Sequence, residues 1–139
     1  MISIEEANKI LGLRLGNRQD SATVVNTWYV GVSTTAISED GKGITEPSTS
    51  NGYKRIAIQN NISNFTAPAN MTVKNTNPIV FDEVTADCGT VTDIFLCAQP
   101  DGEPTAAYYG KFTVPRPMPA QSNLTINAGD ASFKIVNMK

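Results

Sequence analysis

Residues 27–58, TWYVGVSTTAISEDGKGITEPSTSNGYKRIAI, constrain the fold more than any other stretch of the chain. Trp28, Val30 and Val32 alternate with Tyr29, Gly31 and Ser33, the two-residue period of a strand with one strongly apolar face. Tyr53 to Gln59 has the same period, with Tyr53, Arg55, Ala57 and Gln59 opposite Lys54, Ile56 and Ile58. Between the two runs, Ile37 to Gly52 carries Asp40-Gly41, Pro47 and Asn51-Gly52, all turn formers. Sixteen residues are too many for a tight hairpin, so the pattern predicts a long solvated loop between two strands. Glu39, Asp40 and Glu46 lack the alternating acid spacing of a calcium loop, so no metal is expected there.

The chain opens differently. Ser3 followed by Glu6 fits a capping box, and Ile4, Ala7, Ile10 and Leu11 recur at helical spacing, predicting a helix from Ile4 to Leu11 that ends near Gly12 or Gly16. Two uses of its apolar residues are open. The stripe packs on its own domain, or it is an arm that docks on a neighbouring subunit, with Ile4, Ile10, Leu11, Leu13 and Leu15 as the contact residues.

A polar link, Asn17 to Ser21, leads into the first strand, Thr23 to Thr34, where Trp28 reads as a core anchor. Asn60 to Asn70 is polar apart from Phe65 and Pro68. Met71 to Lys74 and Ile79 to Phe81 read as short strands, and Thr90 to Ala98 as a buried one. Pro100 to Pro104 is a turn, and Ala106 to Val114 the hairpin partner of the buried strand. Pro115, Pro117 and Pro119 predict a rigid extended connector outside the sheet. Leu124 to Asn127 and Ala131 to Val136, joined by the Asn127–Asp130 turn, read as a final hairpin. The expected fold is mainly β: an antiparallel β-sandwich or flattened barrel of about seven strands with a short N-terminal helix. The expected division is an N-terminal helical arm and link over residues 1–20 and a β-sandwich domain over 21–139.

Much chemistry is excluded by what the chain lacks. It has no histidine, which removes Ser-His-Asp and Cys-His arrangements, His-based zinc sites and the commonest general base near neutral pH. The net charge is −2, and no basic cluster exceeds Lys54-Arg55, so nucleic acid is not an expected partner. No apolar run approaches the ~18 residues that span a bilayer, so no membrane is expected either. The acidic start, Glu5-Glu6, is unlike the basic region of a secretory signal, and the sequons at Asn61, Asn64, Asn70 and Asn123 read as by-products of an Asn/Thr-rich composition. Cys88 and Cys97 can bridge only if the intervening segment doubles back to bring their Cα atoms within about 7 Å, so two buried free thiols are expected. Asp82, Glu83 and Asp87 are the only catalytic kit left. A glycosidase pair must face its partner across a substrate groove, which nothing here outlines, so they read as surface and turn carboxylates. No catalytic residue, metal or cofactor is expected.

The ordered set WYVGVSTT, EDGKGITEPS, GYKRIAI and PIVFDEVTADCGTVTDIFL, with a Gly129-Asp130 turn near the end, resembles small structural proteins of tailed bacteriophages, the head-fibre, head-decoration and tail-fibre proteins. Cys88 stands where that pattern carries Trp, and Ile94 lies near an expected small residue. The resemblance implies a non-enzymatic virion protein made in the host cytoplasm, a capsid decoration or head-fibre base component assembled in many copies. The alternative it implies is a tail or tail-fibre component that contacts a host-surface glycan through residues 37–52 and 60–70. Its implied partners are other virion proteins, either the major capsid protein or a neighbouring fibre or tail protein. By analogy with fibres it would form a homo-oligomer, a trimer.

Overall fold

Strand-forming residues crowd the two runs that become the centre of the protein, 27–33 and 90–97. The computed structural model describes residues 1–18 and 24–135. In chain order the elements are α1 (Ile4–Arg14), β1 (Thr27–Ser33), a 3-10 turn (Thr49–Asn51), β2 (Ile56–Gln59), β3 (Thr72–Lys74), β4 (Ile79–Val80), β5 (Thr90–Cys97), β6 (Tyr108–Pro117), β7 (Thr125–Ile126) and β8 (Ser132–Lys134). β2, β1, β5 and β6 form one antiparallel sheet in that order, while β3 pairs with β8 and β4 with β7 in two small antiparallel sheets. The protein is mainly β and antiparallel with one short N-terminal helix, as its alternation implied.

Both faces of the four-stranded sheet are covered. Val30, Val32 and Leu96 point to one core, shared with Phe81, Val84, Met118 and Ile126 from the small sheets and their connections. Phe95 and Cys97, one step out of phase on β5, point to a second core with Ile37, Ala106 and Tyr109. The register shifts between Val91 and Asp93. That irregularity reverses the side-chain parity, so Val91 joins the core of Leu96 while Asp93 stays on the other side of the strand. Cys88 and Cys97 are buried free thiols in different cores.

The second core is roofed by the segment between β1 and β2. It was expected to be a solvated loop. It is exposed along much of its length but fastened throughout. The buried Ser33 hydroxyl accepts from Thr45 N–H at 2.9 Å and donates to the Thr35 carbonyl at 2.7 Å. Asp93, 1% exposed, accepts from Ile37 N–H at 3.2 Å. Glu46 meets Arg55 through Oε1–Nη2 at 2.6 Å and Oε2–Nε at 3.1 Å. Arg55 also donates to the carbonyls of Gln99 and Gly102, joining this roof to the β5–β6 turn. The Tyr53 hydroxyl donates to Glu46 at 2.6 Å and accepts from Val32 N–H at 3.1 Å.

Other expectations need correction. The first strand begins at Thr27; the expected start, Thr23, lies outside the described residues. The second begins at Ile56, because Tyr53 and Arg55 are turned inward by the Glu46 network instead of pairing with β1. Pro115 and Pro117 lie inside β6 and not in a connector. β6 is the outermost strand, so a missing N–H there forfeits no bond to a further strand. β7 and β8 do not form a hairpin with each other. They part after the Asn127–Asp130 turn to pair with β4 and β3. Asn75, 2% exposed, holds that turn: its side chain accepts from Gly129 and Ala131 N–H at 3.1 and 3.0 Å and donates to the Asn127 carbonyl at 3.1 Å. The expected end of this hairpin, Val136, lies outside the described residues.

Two substitutions test the packing. A Cβ on Gly31 would sit 2.2 Å from the tip of the Phe95 ring, whereas one on Gly110 would meet nothing within 4 Å. Gly31→Ala should cost about 1–3 kcal/mol or more in urea unfolding, with Gly110→Ala close to neutral. Glu46→Ala leaves a guanidinium that is 3% exposed without its carboxylate, and unfolding should register a loss of about 3–5 kcal/mol.

Candidate functional site

The helix at the chain start is made by its local sequence. Ser3 Oγ accepts from Glu6 N–H at 3.2 Å, Glu5 and Glu6 occupy the acid-favouring first turn, and Arg14 the last. Ser3 N–H does not take the reciprocal bond of a full capping box; it donates to the Ala107 carbonyl at 2.8 Å. Ile2 bridges Tyr108, Tyr109 N–H donates to the Met1 carbonyl at 2.8 Å, and Ile4 N–H donates to the Glu39 carbonyl at 3.0 Å. The helix therefore starts from a short extension of the sheet along the outer edge of β6. It runs to Arg14, between the two expected stops at Gly12 and Gly16.

None of its residues is buried. At 100° per residue, Ile4, Leu11 and Leu15 fall on one face, and Ile10 and Leu13 on the opposite side with Glu6. Exposure follows the same division: 54% for Ile4, 54% for Leu11 and 74% for Leu15, against 38% for Leu13 and a half-buried Ile10. The five expected contact residues are thus split between two faces of the helix, one more exposed than the other.

Beside the helix base lies an apolar groove of about 1010 Å³, lined by Trp28, Phe65, Val73, Leu96, Tyr108 and Phe133 among others. Its rings form a chain of edge-to-face contacts: Trp28–Tyr108 at 6.0 Å, Tyr108–Phe133 at 6.1 Å and Phe65–Phe133 at 6.3 Å between centroids. Trp28 is half-buried, packs against the main core as expected and also forms a wall of this groove. Ile62, Met71 and Ile135 at the groove are 95%, 47% and 46% exposed. The sequence signal for the groove was the scatter of large apolar residues, Ile62, Phe65 and Met71, through an otherwise polar stretch.

Tyr108 belongs to both features, since it bridges Ile2 and lines the groove. Burial, with a smaller contribution from the Glu6 charge, pushes its phenol up to about 12. Burial likewise raises the Glu6 carboxyl, with Lys9 opposing and Glu5 assisting.

The candidate catalytic acids are not assembled into a site. Asp82 pairs on the surface with Lys54 at 3.0 Å, Asp87 accepts from Gly89 N–H at 2.8 Å in its own turn, and Glu83 is exposed. Burial raises both thiols, away from nucleophile behaviour. Among the described residues no three His, Cys, Asp or Glu side chains gather closely enough to hold a metal ion. Residues 37–52 and 60–70 are not brought together. Ile37 and Ile44 pack on the Phe95 side of the sheet, and Asn60, Asn61 and Phe65 line the groove on the Leu96 side.

A family model described as "Podophage GP4 fiber I protein gp80" matches residues 2–134. The chain belongs to this podophage fibre protein family. No curated protein matches it. The phage resemblance of its motifs is thereby established, and the fibre protein is a structural component of the virion. The match takes in α1 and every described strand.

Alkali tests the burial of Tyr108 in the fibre protein. Where the folded pKa of a phenol is raised, the unfolded chain loses its proton first. Above the ordinary tyrosine pKa of about 10 the unfolded state therefore binds fewer protons, and stability falls with rising pH up to the folded pKa near 12. The buried Tyr53, also raised, adds to the slope. Urea midpoints should drop between pH 9 and pH 11 (values chosen to bracket that onset), and Tyr108→Phe should shallow the drop.

Proposed function

We propose that the fibre protein is the base component of a head fibre, present in many copies and attached to its neighbours through α1. The observation that carries this reading is a capped, sheet-anchored helix whose more exposed face, Ile4, Leu11 and Leu15, is uncovered. An eleven-residue helix gains little from propensity alone and normally depends on burying a face. In this reading the arm is built for a surface outside its own chain, such as the major capsid protein or an adjoining fibre subunit. Residues 1–20 are then the attachment unit and the β-domain is what the particle displays. Multivalency lets contacts that are individually weak hold such a protein on a symmetric shell.

A second reading puts the fibre on the tail, with the groove side facing host glycan. The Asn60 and Asn61 amides beside Trp28 and Phe65 favour it, because aromatic faces flanked by amides suit a sugar ring. Electron microscopy of particles labelled against this protein distinguishes the two by the end of the particle that carries signal.

Deleting residues 1–16 should remove the protein from purified particles while the remaining chain keeps its β circular dichroism and a cooperative melt. Particles that carry the truncated protein at normal copy number would refute attachment through the arm.

A further inference from the structure

We infer that a second pocket, polar and formed at the bulge of β6, binds a sugar acid: a ring-shaped, hydroxylated carboxylate of the uronic acid type. The inference goes beyond the attachment reading and does not depend on it.

The pocket begins with an irregularity in the central sheet. Val91 pairs with Arg116 and Asp93 with Lys111, so Thr92 alone on β5 stands opposite four residues of β6, Phe112 to Pro115. Four of the ten residues of β6 therefore have no register partner on β5. A bulge of this kind gives up ladder bonds and re-aims side chains, and bulges are over-represented beside functional sites. Here it opens a pocket of about 470 Å³ against Ile126 and residues 130–133. That volume lies within the ~300–1,000 Å³ of small-molecule sites.

The polar groups of the pocket are held in place but little used. The half-buried Arg116 donates through Nη2 to the Thr125 carbonyl at 3.1 Å and lies over the Phe112 ring, 5.9 Å from its centroid. Its planar fork is thus fixed while other N–H donors stay open. Lys111 adds a positive charge that it shares with Asp93, 3.8 Å away. The Thr113 and Ser132 hydroxyls and the Asp130 carboxylate make no hydrogen bond among the described residues.

This set selects its ligand by chemistry. A fixed guanidinium takes a carboxylate on two parallel bonds. Asp130 only accepts, so together with Thr113 and Ser132 it suits ligand hydroxyls. Two cations offset by Asp130, and by the Asp93 that Lys111 faces, favour a monoanion over a phosphate dianion. Phe112 and Phe133 supply apolar walls for the C–H face of a sugar ring. The apolar groove shares Phe133 but, among the described residues, is lined by no charged side chain.

Titration of the full chain with galacturonate, followed by amide NMR, should saturate with a dissociation constant on the order of 1 mM. The shifted amides should be those of residues 110–116 and 130–133, with Trp28 in the groove unmoved. Galactose, which lacks the carboxylate, should bind about tenfold more weakly or worse, and inorganic phosphate should also bind more weakly than galacturonate. Arg116→Lys keeps the charge and removes the fork, and should weaken galacturonate by a similar factor. Lys111→Gln and Ser132→Ala alter exposed side chains, should leave the circular dichroism unchanged, and should each weaken binding several-fold. They carry the test if Arg116→Lys fails to fold. Trigalacturonate separates two sources of the ligand. If it binds at the same residues, the pocket takes a unit of a polysaccharide; if only the monomer binds, it takes a free acid, and either result supports the site. Equal affinity for galactose, phosphate as tight as galacturonate, shifts confined to the groove, or no saturable binding would overturn the inference. So would Lys111→Gln and Ser132→Ala proteins that fold and bind unchanged.

Discussion

The architecture depends on the tip of the Phe95 ring packing against a residue without a side chain. Gly31 and Phe95 face each other across β1 and β5, and the ring tip occupies the space a Cβ would need. The Arg55 guanidinium lies over the same ring, 5.9 Å from its centroid. That cation is itself fixed by Glu46 and by the Gln99 and Gly102 carbonyls. One aromatic ring thus links the two central strands, the roof segment and the β5–β6 turn. A guanidinium suits this position because it stacks on a ring while donating in several directions within one plane. A lysine would supply the charge without the fork.

The two faces of the sheet are closed in different ways. The Phe95 face is closed by a polar network in which each buried polar side-chain atom has a partner, among the described residues. Such networks specify one geometry, since a half-made set is costly. The Leu96 face is closed by two two-stranded sheets whose strands are two or three residues long, and the aromatic groove opens beside them. Short strands with few ladder bonds are the less stable part of a β protein and the part best able to accommodate a partner.

Features carried by local periodicity were legible in the sequence. The alternation of Trp28 to Ser33, the apolar run of Thr90 to Cys97 and the Ser3 cap each announce themselves within a few residues, and each formed its expected element. What could not be read depends on residues far apart in the chain. Arg55 looked like one face of a strand because Glu46 gives no local sign that it will draw the side chain inward. The β7–β8 hairpin failed because Asn75, some fifty positions earlier, fixes the turn between them. Pro115 and Pro117 were excluded from the sheet because edge and centre cannot be told apart until the strand order is known. The arm was legible as a helix and as a set of apolar residues, but the unequal exposure of its two faces depends on Ile2 pairing with Tyr108. The groove is harder still, since its walls come from β1, β3, β5, β6, β8 and the 60–70 segment.

The position of the arm bears on how a fibre subunit assembles. An arm that must fold as it binds subtracts its ordering entropy from the contact. Here the first turn is ordered beforehand by the Ser3 cap and by backbone bonds from Met1, Ser3 and Ile4 to the sheet and the roof. Those bonds lie at the β6 edge, where they cover part of a strand that would otherwise offer unpaired backbone to other chains. The Lys111 charge and the two prolines protect the remainder. Indiscriminate strand-to-strand association is suppressed at the same edge from which the helix projects. In the proposed attachment through α1, contacts are made by side chains, which depend on shape and can be satisfied only a fixed number of times per copy. That is the property a particle of defined symmetry requires of its parts.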